Sequence, residues 1–196
     1  MDSKQFTAAN LRTTRDDLTE RFVDYPELLD PADELVRAAD ARREALKAQT
    51  SIGEMFGEEA GIIAAERDGL LPAVLEGSPG PGTVDQAFIT PQGDQLVVQE
   101  AKGPSAGLGT ARVTGPDGTL IPAQQGSEAY LRQVLRSDTR LLDAILADPA
   151  LRHGLLDGTT SIRYRLVQPD PSGHIKVTEF IINSANLDIQ DWLGIQ

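Results

Sequence analysis

The sequence predicts an α+β protein in which a small mixed β-sheet is flanked by helices. A helical pattern over residues 51–66 precedes two short strand-like runs that are separated by a turn. A second helical pattern covers residues 127–146, and two more strand-like runs follow at 161–167 and 174–182. This order of helix, strands, helix and strands is typical of a sheet that is covered by helices.

The first 50 residues predict a helical region in front of the main domain. Asp30 is a helix cap at the start of a pattern that extends to about Ala48, and an earlier helix is predicted over residues 13–23. We therefore divide the chain into an N-terminal helical region, 1–50, and a main domain, 51–196. Two arrangements stay open: the helices pack on the main domain, which we favour, or they end a preceding domain of a longer protein.

The helix that opens the main domain carries a candidate acid. Ser51 and Glu54 form a capping box, which predicts that a helix begins there. The apolar stripe that we expect to face the core contains Ile52, Met55, Phe56, Ile62 and Ile63. Glu59 falls in the middle of this stripe, where a carboxylate is costly unless it is paired or bound to a metal. The alternative is a glutamate at the helix edge whose carboxylate reaches water.

The next two strand-like runs bring three ionisable residues together. Asp85 lies in the first run, and Glu100 and Lys102 close the second, with a turn signal at residues 91–94 between the runs. Since side chains alternate across a strand, Glu100 and Lys102 project from the same face. A hairpin at this turn would place Asp85 beside Glu100.

This residue set suits a metal-dependent phosphodiester nuclease. Two neighbouring carboxylates repel each other unless a cation lies between them. Mg²⁺ binds a few carboxylates, keeps several waters, polarises a phosphoryl oxygen and lowers the pKa of a bound water. Lys102 would position that water or stabilise the pentavalent charge. The alternative is a solvated edge strand that carries a glutamate and a lysine.

A long segment rich in glycine and proline follows Lys102. Gly103 and Pro104 end the strand, and residues 105–123 are predicted to form a loop above the site, with Arg112 as its only base. Arg112 is therefore a candidate contact for nucleic acid.

Composition limits the possible chemistry. The chain of 196 residues has no cysteine, only two histidines and a net charge of −12. Disulfides and cysteine-ligated metals are excluded, and a histidine–metal nuclease is hard to build. No apolar run reaches the length of a membrane span, and residues 1–5 do not resemble a signal peptide.

The acidic charge is the main objection to nucleic-acid binding, because affinity for nucleic acid depends largely on neutralising phosphates with Lys and Arg. Arg163 and Arg165, however, share one face of a predicted strand and could form a local basic strip. Solvated strand positions without a binding role are an equal alternative for these two arginines.

The order of the elements and the Asp85…Glu100-x-Lys102 set resemble the restriction-endonuclease-like, or PD-(D/E)XK, nuclease superfamily. More narrowly, residues 82–104, Leu108-Gly109-Thr110 and the helix start from Gln125-Gly126 to Tyr130-Leu131 resemble nuclease-like modules at the C-terminal ends of bacterial polymorphic toxins. The resemblance covers about Ser51 to Ile182. Val84 stands where the proline of the superfamily name would be.

The resemblance implies a role for each matching residue. Asp85 and Glu100 would be the metal ligands, and Lys102 would be the catalytic lysine. Glu59 matches the helix acid that some members add to the metal site. Gln125 matches a polar residue close to the scissile phosphate.

The function that this resemblance implies is a Mg²⁺- or Mn²⁺-dependent nuclease toxin, with DNA favoured over RNA as the substrate. Such a toxin acts in the cytoplasm of a target bacterium, is delivered as part of a larger effector, and is blocked by a cognate immunity protein. Two alternatives stay open: a catalytically inactive interaction module of the same fold, and a repair or restriction nuclease.

Overall fold

The computed structural model of the protein describes residues 29–75, 83–115 and 118–193. The chain divides into two compact units, Met1–Ile52 and Gly53–Gln196. The helix predicted over residues 13–23 lies outside the described residues.

Helices and strands alternate along the described chain. The helices are α1 Leu29–Arg67, α2 Glu128–Ser137, α3 Thr139–Ala147, α4 Pro149–Asp157 and α5 Ile189–Trp192, and a short 3₁₀ helix covers Ser184–Asn186. The strands are β1 Leu71–Val74, β2 Gln86–Ile89, β3 Gln95–Ala101, β4 Thr110–Thr114, β5 Leu120–Gln124, β6 Ser161–Pro169 and β7 Ile175–Phe180.

The main sheet is mixed and has five strands in the order β1-β2-β3-β6-β7. Strands β3 and β6 are parallel, and the other neighbours are antiparallel. The predicted hairpin between β2 and β3 is confirmed, with Gly93 at φ 74° in its turn. The predicted α+β class, a small mixed sheet flanked by helices, is also confirmed.

Helix α1 differs from the two helices that the sequence predicts. It runs without a break from Leu29 to Arg67, so Ser51 is not a helix cap and the predicted domain boundary at residue 50 lies inside a helix. The segment around Ser51 contains no proline, and a single serine is tolerated within a helix. The local capping signal is therefore overridden by continuous helix propensity.

The face that α1 buries is also different from the predicted one. Small residues are buried, namely Gly57, Ala60, Gly61, Ala64 and Ala65. The predicted stripe is largely in solvent, with Phe56 60% and Met55 63% exposed. Glycines let the helix approach the sheet: a Cβ added to Gly61 would lie 2.0 Å from the side-chain oxygen of Gln86. Backbone proximity, which large side chains would prevent, therefore decides the orientation of the helix.

The segment predicted as a loop contains a β-hairpin. Strands β4 and β5 pair as a separate two-stranded sheet, and Val113 and Ala123 are buried in the main core. Glycine in this segment marks a turn at Gly118, where φ is 80°. Pro122 is tolerated within β5 because a two-stranded sheet leaves one edge of each strand unpaired, and a missing N–H on that edge breaks no ladder hydrogen bond.

The helix predicted over residues 127–146 is two helices. Asp138 separates α2 from α3 and caps α3, where its carboxylate accepts hydrogen bonds from the backbone N–H groups of Arg140 and Leu141. The same carboxylate accepts a bond of 2.9 Å from the backbone N–H of Val84, and it is buried. Asp138 thereby ties the start of α3 to the segment that precedes β2.

The main core lies between α2–α4 and one face of the sheet, where Leu96, Val98 and Tyr164 contribute from the strands. On the other face, Ala60 and Ala64 of α1 pack against Val167. No helix within the described ranges is long and apolar enough to cross a membrane.

Candidate active site

The register of β2 and β3 places the two predicted acids opposite each other. Gln86 pairs with Gln99 in this antiparallel ladder. Asp85 directly precedes this ladder and Glu100 follows Gln99, so continuing the register places them opposite each other, and cross-strand partners project from the same face of a sheet. The hairpin therefore brings the two carboxylates together, as the sequence predicts.

Lys102 joins the two acids. The Asp85 Oδ2 atom accepts a hydrogen bond of 2.9 Å from the backbone N–H of Ala101 and one of 3.2 Å from Lys102 Nζ. Lys102 Nζ lies 3.4 Å from Glu100 Oε2. The ammonium group thus bridges both carboxylates at the point where β3 ends.

Glu100 is held by two further side chains. It is only 1% exposed, and its Oε1 atom accepts a hydrogen bond of 2.6 Å from the Tyr164 hydroxyl. Its Oε2 atom accepts one of 2.6 Å from the Gln125 amide. Gln125 is fixed in turn by Gly109, whose N–H donates to the Gln125 side-chain oxygen at 2.7 Å. Gln125 therefore lies in the site, as predicted, but contacts Glu100 directly.

Burial and charge shift the protonation of these groups. Burial, and then the neighbouring Asp85 carboxylate, raise the pKa of Glu100 to about 7 although Tyr164 and Lys102 lower it. For Lys102 burial is the largest effect and lowers the pKa, but Asp85 and Glu100 together outweigh it, and the pKa is raised. The lysine therefore stays charged, and the site carries excess acid that a divalent cation could neutralise.

Tyr164 keeps its proton and remains a donor. Burial first, and then the charge of Glu100, raise the pKa of its hydroxyl above the ordinary range. The sequence gives no local signal for this residue, because Tyr164 lies in a strand that is distant along the chain. Its role follows only from the parallel pairing of β3 with β6, in which Tyr164 is opposite Val98.

The helix acid that interacts electrostatically with the site is Glu58, the neighbour of the predicted Glu59. Burial and then the Asp85 and Glu54 carboxylates raise the pKa of Glu58, so its carboxylate lies within electrostatic reach of Asp85. Glu58 and Glu59 are both exposed, and consecutive helical residues point about 100° apart. The buried glycine face of α1 sets this orientation. Exposure of Glu59 agrees with the alternative that the sequence left open, a carboxylate that reaches water, and its role as a metal ligand stays a prediction.

A glycine repeat positions α1 against the strand end, and sequence reasoning missed it. Gly53, Gly57 and Gly61 recur every four residues and share one helix face. A Cβ added to Gly57 would lie 2.7 Å from the carbonyl carbon of Lys102, and one added to Gly103 would lie 2.6 Å from the Gly53 carbonyl oxygen. This spacing was the available signal for a close approach of the helix to Lys102.

The predicted basic strip is not at the site. Arg165 is fully buried, donates a bond of 2.7 Å to Gln99 and forms an ion pair with Asp68. Arg163 forms an ion pair with Glu179. Because Arg165 pairs with Gln99 in the sheet, both arginines project from the face opposite Glu100. Arg165 therefore serves an internal pair and is not available as a surface for nucleic acid, whereas Arg163 lies in a partly exposed surface pair and its contact with nucleic acid stays a prediction.

Arg112 is placed differently from the other two arginines. It lies in β4 opposite Pro122, next to the buried Val113. Because side chains alternate along a strand, Arg112 projects from the outer face of the hairpin, and it is exposed. It can contact a ligand from solvent.

The donor set fits a hard divalent cation with an incomplete protein shell. Among the described residues, no group of three or more acidic, histidine or cysteine side chains could hold a metal. Asp85 and Glu100 supply carboxylate oxygens, which Mg²⁺ and Mn²⁺ prefer, and Mg²⁺ usually binds one or two carboxylates and keeps several waters. Asp85 and Glu100 would therefore hold the ion, and water or a phosphate oxygen would complete its coordination.

Comparisons of the chain with protein-family models, with curated proteins and with solved structures give no match. Its function must therefore be inferred from the residues and their geometry.

Proposed function

We propose that the protein is a metal-dependent phosphodiester nuclease with a restriction-endonuclease-like core. The observation that supports this most directly is the bridge that Lys102 makes between Asp85 and Glu100 at the end of β3. Two carboxylates and a lysine at one strand end form the residue set that such a reaction requires.

Each residue has a distinct task in this proposal. Asp85 and Glu100 hold the ion, which supplies a polarised phosphoryl oxygen and a water of lowered pKa when it is bound. Lys102 stays protonated and donates hydrogen bonds, so it can orient the attacking water or stabilise charge on the phosphoryl oxygens. Gln125 and Tyr164 orient Glu100.

Cleavage of plasmid DNA and of a structured RNA, each with Mg²⁺ or Mn²⁺, tests the proposal. We expect Asp85→Asn, Glu100→Gln and Lys102→Met each to lower the rate by about a hundredfold or more, since one stabilising group is commonly worth that much. Glu59→Gln is the matched control, because it removes an exposed carboxylate of α1, and it should keep the wild-type rate. Glu58→Gln should lower the rate, because Glu58 interacts electrostatically with Asp85.

Equal rates for wild type and for Lys102→Met, or no cleavage by the wild type with either metal, would contradict the proposal.

DNA is the favoured substrate, on the resemblance to polymorphic toxin modules alone. The same resemblance supports action as a toxin in the cytoplasm of a target bacterium, delivery within a larger effector, and inhibition by a cognate immunity protein.

The acidic surface favours one alternative from another class, an inactive interaction module. The chain carries a net charge of −12, the buried Arg165 is paired with Asp68, and Arg163 is paired with Glu179 at the surface. Such a module would keep its fold and bind its partner without cleaving either nucleic acid. A toxin should harm cells when it is expressed in the cytosol, and co-expression of the neighbouring gene should relieve this toxicity. A repair or restriction nuclease would cleave nucleic acid without such toxicity.

A further inference from the structure

The hydrogen bonds around Glu100 leave few of its lone pairs open to a ligand. Each carboxylate oxygen has two such positions. Oε2 accepts from Gln125 at 2.6 Å and pairs with Lys102 at 3.4 Å, which occupies both positions. Oε1 accepts from the Tyr164 hydroxyl at 2.6 Å, which leaves one position. Glu100 in this arrangement can offer a cation one oxygen, and not a bidentate pair.

The Tyr164 hydroxyl is itself held in a fixed direction. It accepts a hydrogen bond of 3.3 Å from the backbone N–H of Gly126 and therefore directs its own proton to Glu100. Gly126 has φ 92°, and a Cβ there would lie 2.4 Å from the Phe180 ring, so only glycine fits. The ring of Tyr164 packs on Phe180 with its centroid 5.0 Å away.

We infer that Tyr164 is a positioning residue that, with Gln125, restricts Glu100 to one ligand oxygen and so makes the site prefer Mg²⁺ and Mn²⁺ over Ca²⁺. Ca²⁺ takes six to eight oxygens and often binds carboxylates in bidentate fashion, whereas Mg²⁺ needs a tight octahedral shell. A carboxylate that is fixed for monodentate contact suits the smaller ion. The inference rests on the proposed metal site.

The test measures binding of Mn²⁺ and of Ca²⁺ by calorimetry in the full-length protein, without any nucleic acid. We expect Tyr164→Phe, which keeps the ring, to weaken Mn²⁺ binding about tenfold, as is usual when a residue that orients a metal ligand is lost. Ca²⁺ binding should weaken less or improve, because Oε1 then has both of its positions open and suits the larger and less directional shell of Ca²⁺. The preference for Mn²⁺ over Ca²⁺ therefore falls.

Tyr130→Phe is the matched control. Tyr130 is also buried in the main core, but within the described part of the chain its hydroxyl makes only a 3.4 Å contact with Gln125 and no hydrogen bond with Glu100. We expect this variant to keep the wild-type preference. Gln125→Leu removes the donor to Oε2 and should lower the preference as Tyr164→Phe does, which supplies a second test should the tyrosine variant fail to fold.

Asp85→Asn separates the failure of this inference from the failure of the proposed function. If Asp85→Asn loses Mn²⁺ binding while Tyr164→Phe and Gln125→Leu keep the wild-type preference, the positioning role is overturned and the metal site stands. If Asp85→Asn binds Mn²⁺ as tightly as the wild type, the ion does not bind here, and both are overturned.

Discussion

At the scale of the residue, Glu100 combines burial with a negative neighbour. Its carboxylate is almost inaccessible and lies beside Asp85, so the pair holds on to a proton up to near neutral pH. Lys102 supplies one positive charge for two carboxylates. The metal-free site is therefore electrostatically unfavourable once both acids are ionised, which is typical of sites that serve a ligand rather than stability.

This electrostatic cost predicts how stability depends on pH. The pKa of Glu100 rises from 4.5 to about 7 on folding, so the folded state binds more protons between these values and stability falls as pH rises. In the metal-free protein we expect this group to lower the free energy of unfolding by on the order of 3 kcal/mol between pH 4.5 and 7.

Urea unfolding of the wild type and of Glu100→Gln across that range measures the effect. The difference between the two proteins should change with pH in the stated direction, because the amide cannot titrate. Lys102 has a raised pKa and contributes only near and above its usual range, so it does not affect this window. A constant difference from pH 4.5 to 7 would contradict the prediction.

At the scale of the element, helix α1 and strand β3 meet through glycine. Gly57 lies against the Lys102 backbone, whereas a Cβ added to Gly53 meets nothing within 4 Å. The two glycines are one helical turn apart and share a helix face, so they offer a controlled comparison. Close contact at Gly57 fixes the distance between α1 and the end of β3.

Opposite effects on stability are expected from alanine at these two positions. Gly57→Ala should destabilise the protein by about 1–3 kcal/mol, because overpacking displaces the backbone at Lys102, and it should slow cleavage as well. Gly53→Ala should stabilise it by about 0.5–1 kcal/mol through helix propensity. Thermal unfolding and plasmid cleavage measure both changes. Equal stabilisation by both variants would mean that the close approach at Gly57 is not required.

How much of the site could be predicted varies between elements for physical reasons. The strand pair was predictable, because alternation and a Pro-Gln-Gly-Asp turn fix which residues of a hairpin face each other, and Asp85 and Glu100 follow from this register. The buried face of α1 was not predictable in this way. An apolar stripe shows which side chains favour leaving water, but it does not show how closely the helix backbone can approach the sheet.

Interactions between distant segments were equally hidden. The ion pair of Arg165 with Asp68 spans 97 positions, and the bond between Tyr164 and Glu100 spans 64. Neither pair has a local spacing rule. The second depends on β6 pairing in parallel with β3, and the first depends on where the end of α1 lies against the sheet. An arginine in a strand can equally serve a surface or an internal pair, and only the assembled sheet distinguishes the two.

At the scale of the whole molecule, charge limits how the protein can bind nucleic acid. The chain carries a net charge of −12, and two of the three arginines that the sequence offered for phosphate binding form ion pairs within the protein, Arg165 in the interior and Arg163 at the surface. Arg112 remains exposed on the hairpin. For the proposed nuclease, few phosphates could then be neutralised, and affinity would depend on the proposed metal site and on a small number of side chains.

This balance predicts a shallow salt dependence of binding. For the inactive Glu100→Gln variant, the logarithm of the DNA association constant should fall with the logarithm of salt concentration with a slope of about −1 to −3, since each phosphate contact adds about −0.9. Arg112→Gln in that background should reduce the slope by about 1, whereas Arg163→Gln should not, because Arg163 is already paired with Glu179. Filter binding at several salt concentrations measures the slope for Glu100→Gln alone and for each of the two arginine variants in that background. A slope of zero would show that phosphates are not contacted and would count against a nuclease, and equal slopes for the two arginine variants would remove Arg112 from the interface.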